Sequence, residues 1–343
     1  SYIIEKSKNL AGKIYILLDE IQEVASWEKV INSLLVDLDC DIYITGSNAN
    51  LLSSELATYI AGRYVEIKML PLSFKEYVSG FENNINYQSL FLDYMKNGGM
   101  PGVLSILDLD IDGINTYLDS IFSTVIFKDI MARNKIVNKT LLENIIKFIF
   151  DSIGSVISTK KISDTLTSKG ISISNHTVEN YIRSFVESYL IYKAERFDVK
   201  GKKLLSRDYK YYVVDTGLRS YLLGKKADSD MGHILENIVY LELLRRGYRV
   251  YVGKVNNTEI GYNVMSIVGF VLSFIPKLWL VALVISIIAL ALTVRDEKVL
   301  ERELRSLKNT EDHYPKYLIT MDMDLTADYE GITKINIVDW LLQ

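Results

Sequence analysis

Cysteine, histidine and proline are all scarce in this chain. Cys40 is the single cysteine, which excludes a disulfide scaffold and a cysteine-rich metal centre. His176, His233 and His313 are scattered and have no ligand spacing. Four prolines and no low-complexity tract point to a chain folded throughout. Neither sign of charge dominates: the formal net charge is -4 with 24% charged residues, so no global basic field is directed at nucleic acid. The opening Ser1-Tyr-Ile-Ile-Glu5 is not a charged leader ahead of an apolar core. No Gly-x-x-x-x-Gly-Lys-Ser/Thr phosphate loop occurs anywhere in the 343 residues.

That last absence matters because of what is present. Ile14-Tyr-Ile-Leu-Leu-Asp-Glu-Ile-Gln-Glu23 reads as an apolar strand ending in paired carboxylates. A second strand, Asp41-Ile-Tyr-Ile-Thr-Gly-Ser-Asn48, ends in hydroxyl and amide side chains. Buried parallel strands with polar groups at their carboxyl ends describe the catalytic edge of a nucleotide-hydrolysing α/β sheet. Magnesium needs a carboxylate there, and an attacking water needs an orienting one.

One segment breaks the soluble pattern. From Val264 to Val294 the only charge is Lys277, beside Pro276. As a helix it would be about 46 Å long, against a hydrocarbon core of about 30 Å. A single kinked transmembrane span or a re-entrant hairpin turning at Pro276-Lys277 would suit it, and a buried core helix is the bland alternative. The first two predict membrane attachment with the bulk of the chain cytoplasmic; without that segment the chain is expected to be cytoplasmic.

Alternating strands and helices fill residues 1–80. An amphipathic helix follows the acidic strand, with Val30, Ile31, Leu34, Leu35 and Leu38 on one stripe. A helix near residues 51–60 and a strand over 64–69 come after the second strand, which predicts a parallel sheet covered by helices. Residues 81–138 read as helical, broken by the turn Asn97-Gly-Gly-Met-Pro-Gly102. Over 139–214, three helices and a β-hairpin match a winged helix-turn-helix. Residues 215–343 hold further helices and strands, interrupted by the apolar segment.

These residues resemble a family of predicted prokaryotic AAA-type ATPases. Its members join an ATPase core to a winged helix and a restriction-endonuclease-like carboxyl-terminal domain. The resemblance is carried by Leu17-Leu-Asp-Glu-Ile-Gln-Glu23, Ile44-Thr-Gly-Ser-Asn48, Ala61-Gly-Arg-Tyr64 and Pro71-Leu-Ser-Phe-Lys-Glu-Tyr77. Gly98-Gly-Met-Pro101, Asp215-Thr-Gly-Leu218 and Glu236-Asn-Ile-Val-Tyr240 complete the ordered series, which covers residues 1–260, with a weaker match over 296–343. It implies an α/β fold: a partial P-loop NTPase sheet, a helical and winged-helix region, then an endonuclease-like domain. Two departures stand out. The family's phosphate loop is expected upstream of Ser1, so the chain resembles an amino-terminally truncated member. The endonuclease-like domain is expected to be incomplete, because Gly261-Tyr-Asn263 runs into the apolar segment where two central strands belong. A genuine insert and a fused reading frame both fit that segment.

The resemblance implies ATP and Mg2+ as cofactors. Asp19 would hold the magnesium shell and Glu20 would orient the attacking water. Thr45, Ser47 and Asn48 fit a sensor that reads the terminal phosphate, although Gly46-Ser-Asn48 also reads as a turn with local caps. Arg63 suits a phosphate because its fork is always charged, and a surface salt bridge suits it as well. Beyond nucleotide, the partners expected are a membrane through 264–294, and DNA through Lys200, Lys202, Lys203 and Arg207 of the wing with Arg183 of the third helix. Glu179 and Glu187 beside Arg183 weaken that match to phosphate. Glu236 and Glu242 lie six apart on one helix, off a common face, and metal-dependent cleavage is not expected. AAA relatives are often oligomeric rings, and nothing in this sequence specifies one. Two functions follow: an AAA-family ATP-binding and hydrolysing protein, membrane-attached and inactive if truncated, or a non-enzymatic DNA- or protein-binding winged-helix module with a structural ATPase remnant.

Overall fold

The computed structural model describes residues 2–7, 12–21, 24–46, 64–81, 86–106, 111–132, 138–198, 203–224, 230–255, 258–268, 282–310, 314–324 and 326–343. The chain divides into two compact units, Ser1–Met69 with Arg183–Leu190, and Leu70–Ile182 with Ile191–Gln343.

The first unit opens with a short helix α1 (Tyr2–Ser7) and is built on two strands, β1 (Ile14–Leu18) and β2 (Cys40–Ile44). They pair in parallel, Ile14 opposite Cys40 through Leu18 opposite Ile44. A parallel pair needs a crossover, supplied here by helix α2 (Trp27–Asp37). Trp27, Ile31 and Leu34 are the buried residues of α2, and Ile21, Trp27 and Ile31 cluster with Leu18, Ile42 and Ile44. Val30 and Leu35, expected on the packing stripe, are exposed instead, because Trp27 sets the buried face one turn earlier. Residues 64–69, expected as a strand, form none; Val65, Ile67 and Met69 are exposed.

The second unit begins with helices α3 (Phe74–Val78) and α4 (Tyr87–Asn97). Ser73 and Glu76 cap α3 reciprocally, and Phe74, Tyr77, Phe91 and Tyr94 interlock edge to face. Helices α5 (Pro101–Ile106) and α6 (Ile111–Phe122) follow, the latter running on as a π-helix over Ser123–Met131. Next come α7 (Lys139–Asp151), β3 (Val156–Ile157), α8 (Thr159–Ser168), α9 (Asn175–Glu187), β4 (Ile191–Asp198) and β5 (Lys203–Val213). Helices α10 (Thr216–Leu223) and α11 (Met231–Arg245) precede β6 (Arg249–Val255), β7 (Thr258–Val268) and β8 (Ala282–Ala291). The chain ends with α12 (Glu297–Lys308), β9 (Lys316–Thr320), β10 (Ala327–Tyr329), β11 (Ile332–Asn336) and α13 (Ile337–Leu342).

Nine of these strands form one sheet in the order β10-β11-β9-β8-β7-β6-β4-β5-β3. The apolar segment is therefore not a helix where it is described. Residues 264–268 belong to β7 and 282–291 to β8, antiparallel to each other, and β8 runs parallel to β9. Residues 269–281 lie outside the described set. Ile288 and Leu290 of β8 pack into the core containing α11, while Ala289 and Ala291 pack with Leu307 and Leu318 under α12. A central strand covered on both faces needs no polar face, which corrects the transmembrane expectation. Among the described residues no helix is long and apolar enough to cross a membrane. The expected gap in the carboxyl-terminal sheet is corrected too, since β7 and β8 occupy its centre.

A buried carboxylate joins the helical part of this unit to the rest. Asp215 is 3% exposed; it caps α10 by accepting from the Leu218 amide at 3.0 Å and receives the Gly99 amide at 2.7 Å. Burial pushes its pKa up to about 6 from 3.8, although backbone amides of Gly99, Leu218, Gly217 and Met100 pull the other way. Two glycines let the backbones close around it. A Cβ on Gly99 would lie 2.3 Å from the Leu72 carbonyl oxygen, and one on Gly217 would lie 2.0 Å from that of Asn97.

Gly99→Ala and Gly217→Ala are each expected to cost about 1–3 kcal/mol in urea unfolding. Gly170, with φ +83° and nothing within 4 Å of a Cβ, is the control: Gly170→Asn should change little. Because the folded pKa of Asp215 is raised, the folded state holds that proton more tightly than the unfolded chain. Its stabilising contribution is therefore complete below about pH 4 and is lost as pH rises through about 6. Urea titrations across that range should show the stability of the parent relative to Asp215→Asn falling as pH rises.

Candidate functional site

The carboxyl ends of β1 and β2 carry the polar residues singled out in the sequence. Parallel pairing puts both ends on one edge, so Asp19 and Glu20 after Leu18 come beside Thr45 after Ile44. The Thr45 amide donates to the Leu18 carbonyl at 2.9 Å, and the Ile21 amide donates to the Thr45 carbonyl at 3.2 Å. These bonds extend the ladder past the strands and hold the two loops in register.

The Thr45 hydroxyl joins the three residues. It donates to Asp19 Oδ1 and accepts from the Glu20 amide at 3.1 Å. One small side chain thus orients a carboxylate and fixes the backbone that carries the next. Glu20 has φ 47°, a left-handed conformation that costs a non-glycine residue about 1–3 kcal/mol. Asp19, Glu20 and Thr45 are all exposed, so the edge is open to a ligand.

No group of three or more His, Cys, Asp or Glu side chains able to hold a metal occurs among the described residues. Magnesium takes one or two carboxylates and completes its shell with phosphate oxygens and water, and Asp19, oriented by Thr45, offers one exposed carboxylate. Ser47, Asn48 and Arg63 lie outside the described residues.

The basic-wing candidates divide differently. Lys200 and Lys202 lie outside the described residues; Lys203 and Arg207 belong to β5, with their side chains outside the described set. Arg183 is exposed on α9. Lys210, which reads as part of the same basic wing, is buried. Its Nζ lies 2.9 Å from Glu236 Oε1, which also accepts from the Tyr212 hydroxyl at 2.9 Å. This pairing assigns Glu236 to the packing of β5 against α11. Glu242 likewise binds Arg245 and Arg246, at 3.2 and 2.8 Å.

Two structural devices escaped the sequence. Asn237, fully buried, donates to the Val213 carbonyl at 2.9 Å and accepts from its amide at 2.8 Å, replacing a strand partner at the end of β5. Asp322 is buried after β9, where burial raises its pKa. Bonds from the Val294 amide and Thr293 hydroxyl, with Lys334 and Arg295 nearby, outweigh burial and hold it below the ordinary carboxylate range. Of these positions, Asn237 alone lies in a stretch that the sequence singles out, Glu236-Asn-Ile-Val-Tyr240.

Residues 1–78 match the AAA domain family, and residues 88–229 match a domain of unknown function (DUF8612). An uncharacterized protein of Haemophilus influenzae is 40% identical over 346 residues, covering 99% of this chain and 80% of the relative. The chain belongs to the family of this Haemophilus influenzae protein, with an AAA-domain match over its residues 1–78. An uncharacterized protein of Methanocaldococcus jannaschii is 32% identical over 275 residues, covering 76% of this chain; the chain spans 59% of that relative. Among solved structures, the Walker-type ATPase of Pyrococcus abyssi matches 65% of this chain and 65% of its own, with 16% identity and a TM-score of 0.42.

The strain at Glu20 and the bridge at Thr45 are measurable without a ligand. Glu20→Gly is expected to leave the urea unfolding free energy unchanged or raise it by up to about 1 kcal/mol. Glu28→Gly, in α2, should lower it by about 1 kcal/mol. Thr45→Val should cost about 1 kcal/mol through the lost bonds to Asp19 and Glu20.

Proposed function

We propose that this AAA-family chain supplies the magnesium-and-water side of an ATP-hydrolysing site. The observation that carries the proposal is the Thr45 hydroxyl bridging the Asp19 carboxylate and the Glu20 amide at one edge of a parallel pair. Asp19, aimed by Thr45, would hold Mg2+, which when bound neutralises charge on the phosphates. Glu20 would orient the attacking water through its carboxylate. Thr45, Ser47 and Asn48 are proposed to read the terminal phosphate, and Arg63 to contact it. A Gly-x-x-x-x-Gly-Lys-Ser/Thr loop is not among the 343 residues, so the proposal covers the metal and water side alone.

The finer assignments rest on element order. Helices α7, α8 and α9, the hairpin β4-β5, and β3 antiparallel to β5 support a winged helix over residues 139–214. The succession α11-β6-β7-β8-α12-β9, with three antiparallel strands and a parallel fourth, supports a restriction-endonuclease-like core over 215–343. No cleavage is proposed for it, because Lys210 and the two arginines already engage Glu236 and Glu242.

Calorimetry with Mg-ATP tests the site, on the 343-residue chain and on a version extended by any coding sequence that adds a phosphate loop. Only the extended protein is expected to bind, and Glu20→Gln is expected to abolish turnover while binding persists. Failure of both proteins to bind overturns the ATPase reading and leaves a non-enzymatic binding module.

A further inference from the structure

One face of the large sheet carries aromatic rings and cations in alternation. In β6, Val250 and Val252 point into the core containing α11, so Arg249 and Tyr251 point to the opposite face. In β4, Ala194 joins that core, which puts Lys193 on the same opposite face as Tyr251. Cross-strand geometry agrees. The Lys193 ammonium sits 3.5 Å from the centroid of the Tyr209 ring in β5, and the Phe197 and Tyr251 rings lie 6.1 Å apart at 49°.

Strand order makes this one surface, because β5, β4 and β6 are consecutive neighbours in the sheet. Lys193 and Arg249 are exposed, and Phe197, Tyr209 and Tyr251 are partly exposed. A sheet face of this kind normally meets either a packed layer or solvent with polar residues. Rings left accessible beside cations need another account. Glu195, exposed between Lys193 and Phe197, is the opposing charge on the strand.

We propose that this face of β5-β4-β6 binds single-stranded nucleic acid, with bases stacking on Phe197 and Tyr251 and phosphates running past Arg249 and Lys193, which Tyr209 holds in place. Every base has a π-face, so such stacking tolerates sequence, and it requires bases that are not already stacked in a duplex. Flat rings on strands present that platform, whereas a duplex is read by an element entering a groove. The charge is local and consistent with the net charge of -4, because only phosphates near Lys193 and Arg249 need be met. This surface owes nothing to the ATP site, and its test contains no nucleotide triphosphate.

Fluorescence anisotropy of the full chain with labelled oligo-dT, oligo-rU and a duplex of equal length tests the proposal. Both single strands are expected to bind at least about tenfold tighter than the duplex, weakening with added salt. Phe197→Leu and Tyr251→Leu, which keep apolar bulk, should each lose about tenfold for single strands without a shift in thermal unfolding. Lys193→Gln should reduce the salt dependence. Should a ring variant unfold, Phe197→Tyr and Tyr251→Phe, which keep a ring, are expected to retain single-strand binding. Tighter binding to duplex overturns the proposal, as does no binding to either form. Single-strand binding that survives both leucine substitutions, or that is lost equally in the ring-keeping variants, overturns it as well.

Discussion

The larger unit is organised around a carboxylate that has given up water for backbone amides. Asp215 ends the strand side of the structure and starts α10, yet its second bond goes to the Gly99 amide, across a sequence separation of 116 residues. A buried charge is tolerable only when its lone pairs are satisfied, and here amides from two turns do so. The price falls on the backbone. Gly99 and Gly217 approach carbonyl oxygens so closely that no side chain fits, which is why both turns carry glycine where they meet. Tyr94 and Arg245 reinforce the same junction through the Leu72 and Pro71 carbonyls, at 2.7 and 2.8 Å.

From that junction the sheet can be read outward. Helix α11 covers one face with a nearly continuous buried run from Ile234 to Leu243, and Asn237 ties it to the end of β5. Opposite it, α12 packs against β7, β8 and β9; on the same side of β4 and β5 Ile191, Tyr211 and Val213 are buried, while Lys193, Phe197, Tyr209, Arg249 and Tyr251 keep accessible surface. Neighbouring Ile288 and Ala289 of β8 are both buried, one toward each face, whereas β6 alternates, with Val250 and Val252 buried and Arg249 exposed. The same sheet therefore contains a run that resembles a membrane segment and a stripe that resembles a binding platform. Packing explains the first, and the rings and cations left accessible form the second.

The smaller unit obeys a different economy. Two short parallel strands and one helix place three polar residues at a common edge, and a single hydroxyl couples them. Glu20 is held in a left-handed conformation there, and backbone strain of this kind gathers where geometry serves a ligand. The metal and water roles proposed for this edge rest on that one coupling, because the Thr45 hydroxyl fixes both the Asp19 carboxylate and the Glu20 backbone.

Much of this was legible in the sequence. The apolar strands, their polar ends and the crossover helix follow from local pattern, so Asp19, Glu20 and Thr45 were identifiable as neighbours before any coordinates. So were the three helices and hairpin after residue 139, because periodicity and turn residues are local signals. What the sequence could not decide was which apolar run meets water, lipid or protein. Hydropathy reports transfer from water and is silent about the medium entered, so residues 264–294 read as lipid-facing until β8 was found between α11 and α12. Lys210 likewise owes its burial to Glu236, which a separate helix brings to it. Long-range pairing of this kind belongs to tertiary structure alone, because the free energy of a charge or an apolar side chain is set by the neighbours that folding brings to it.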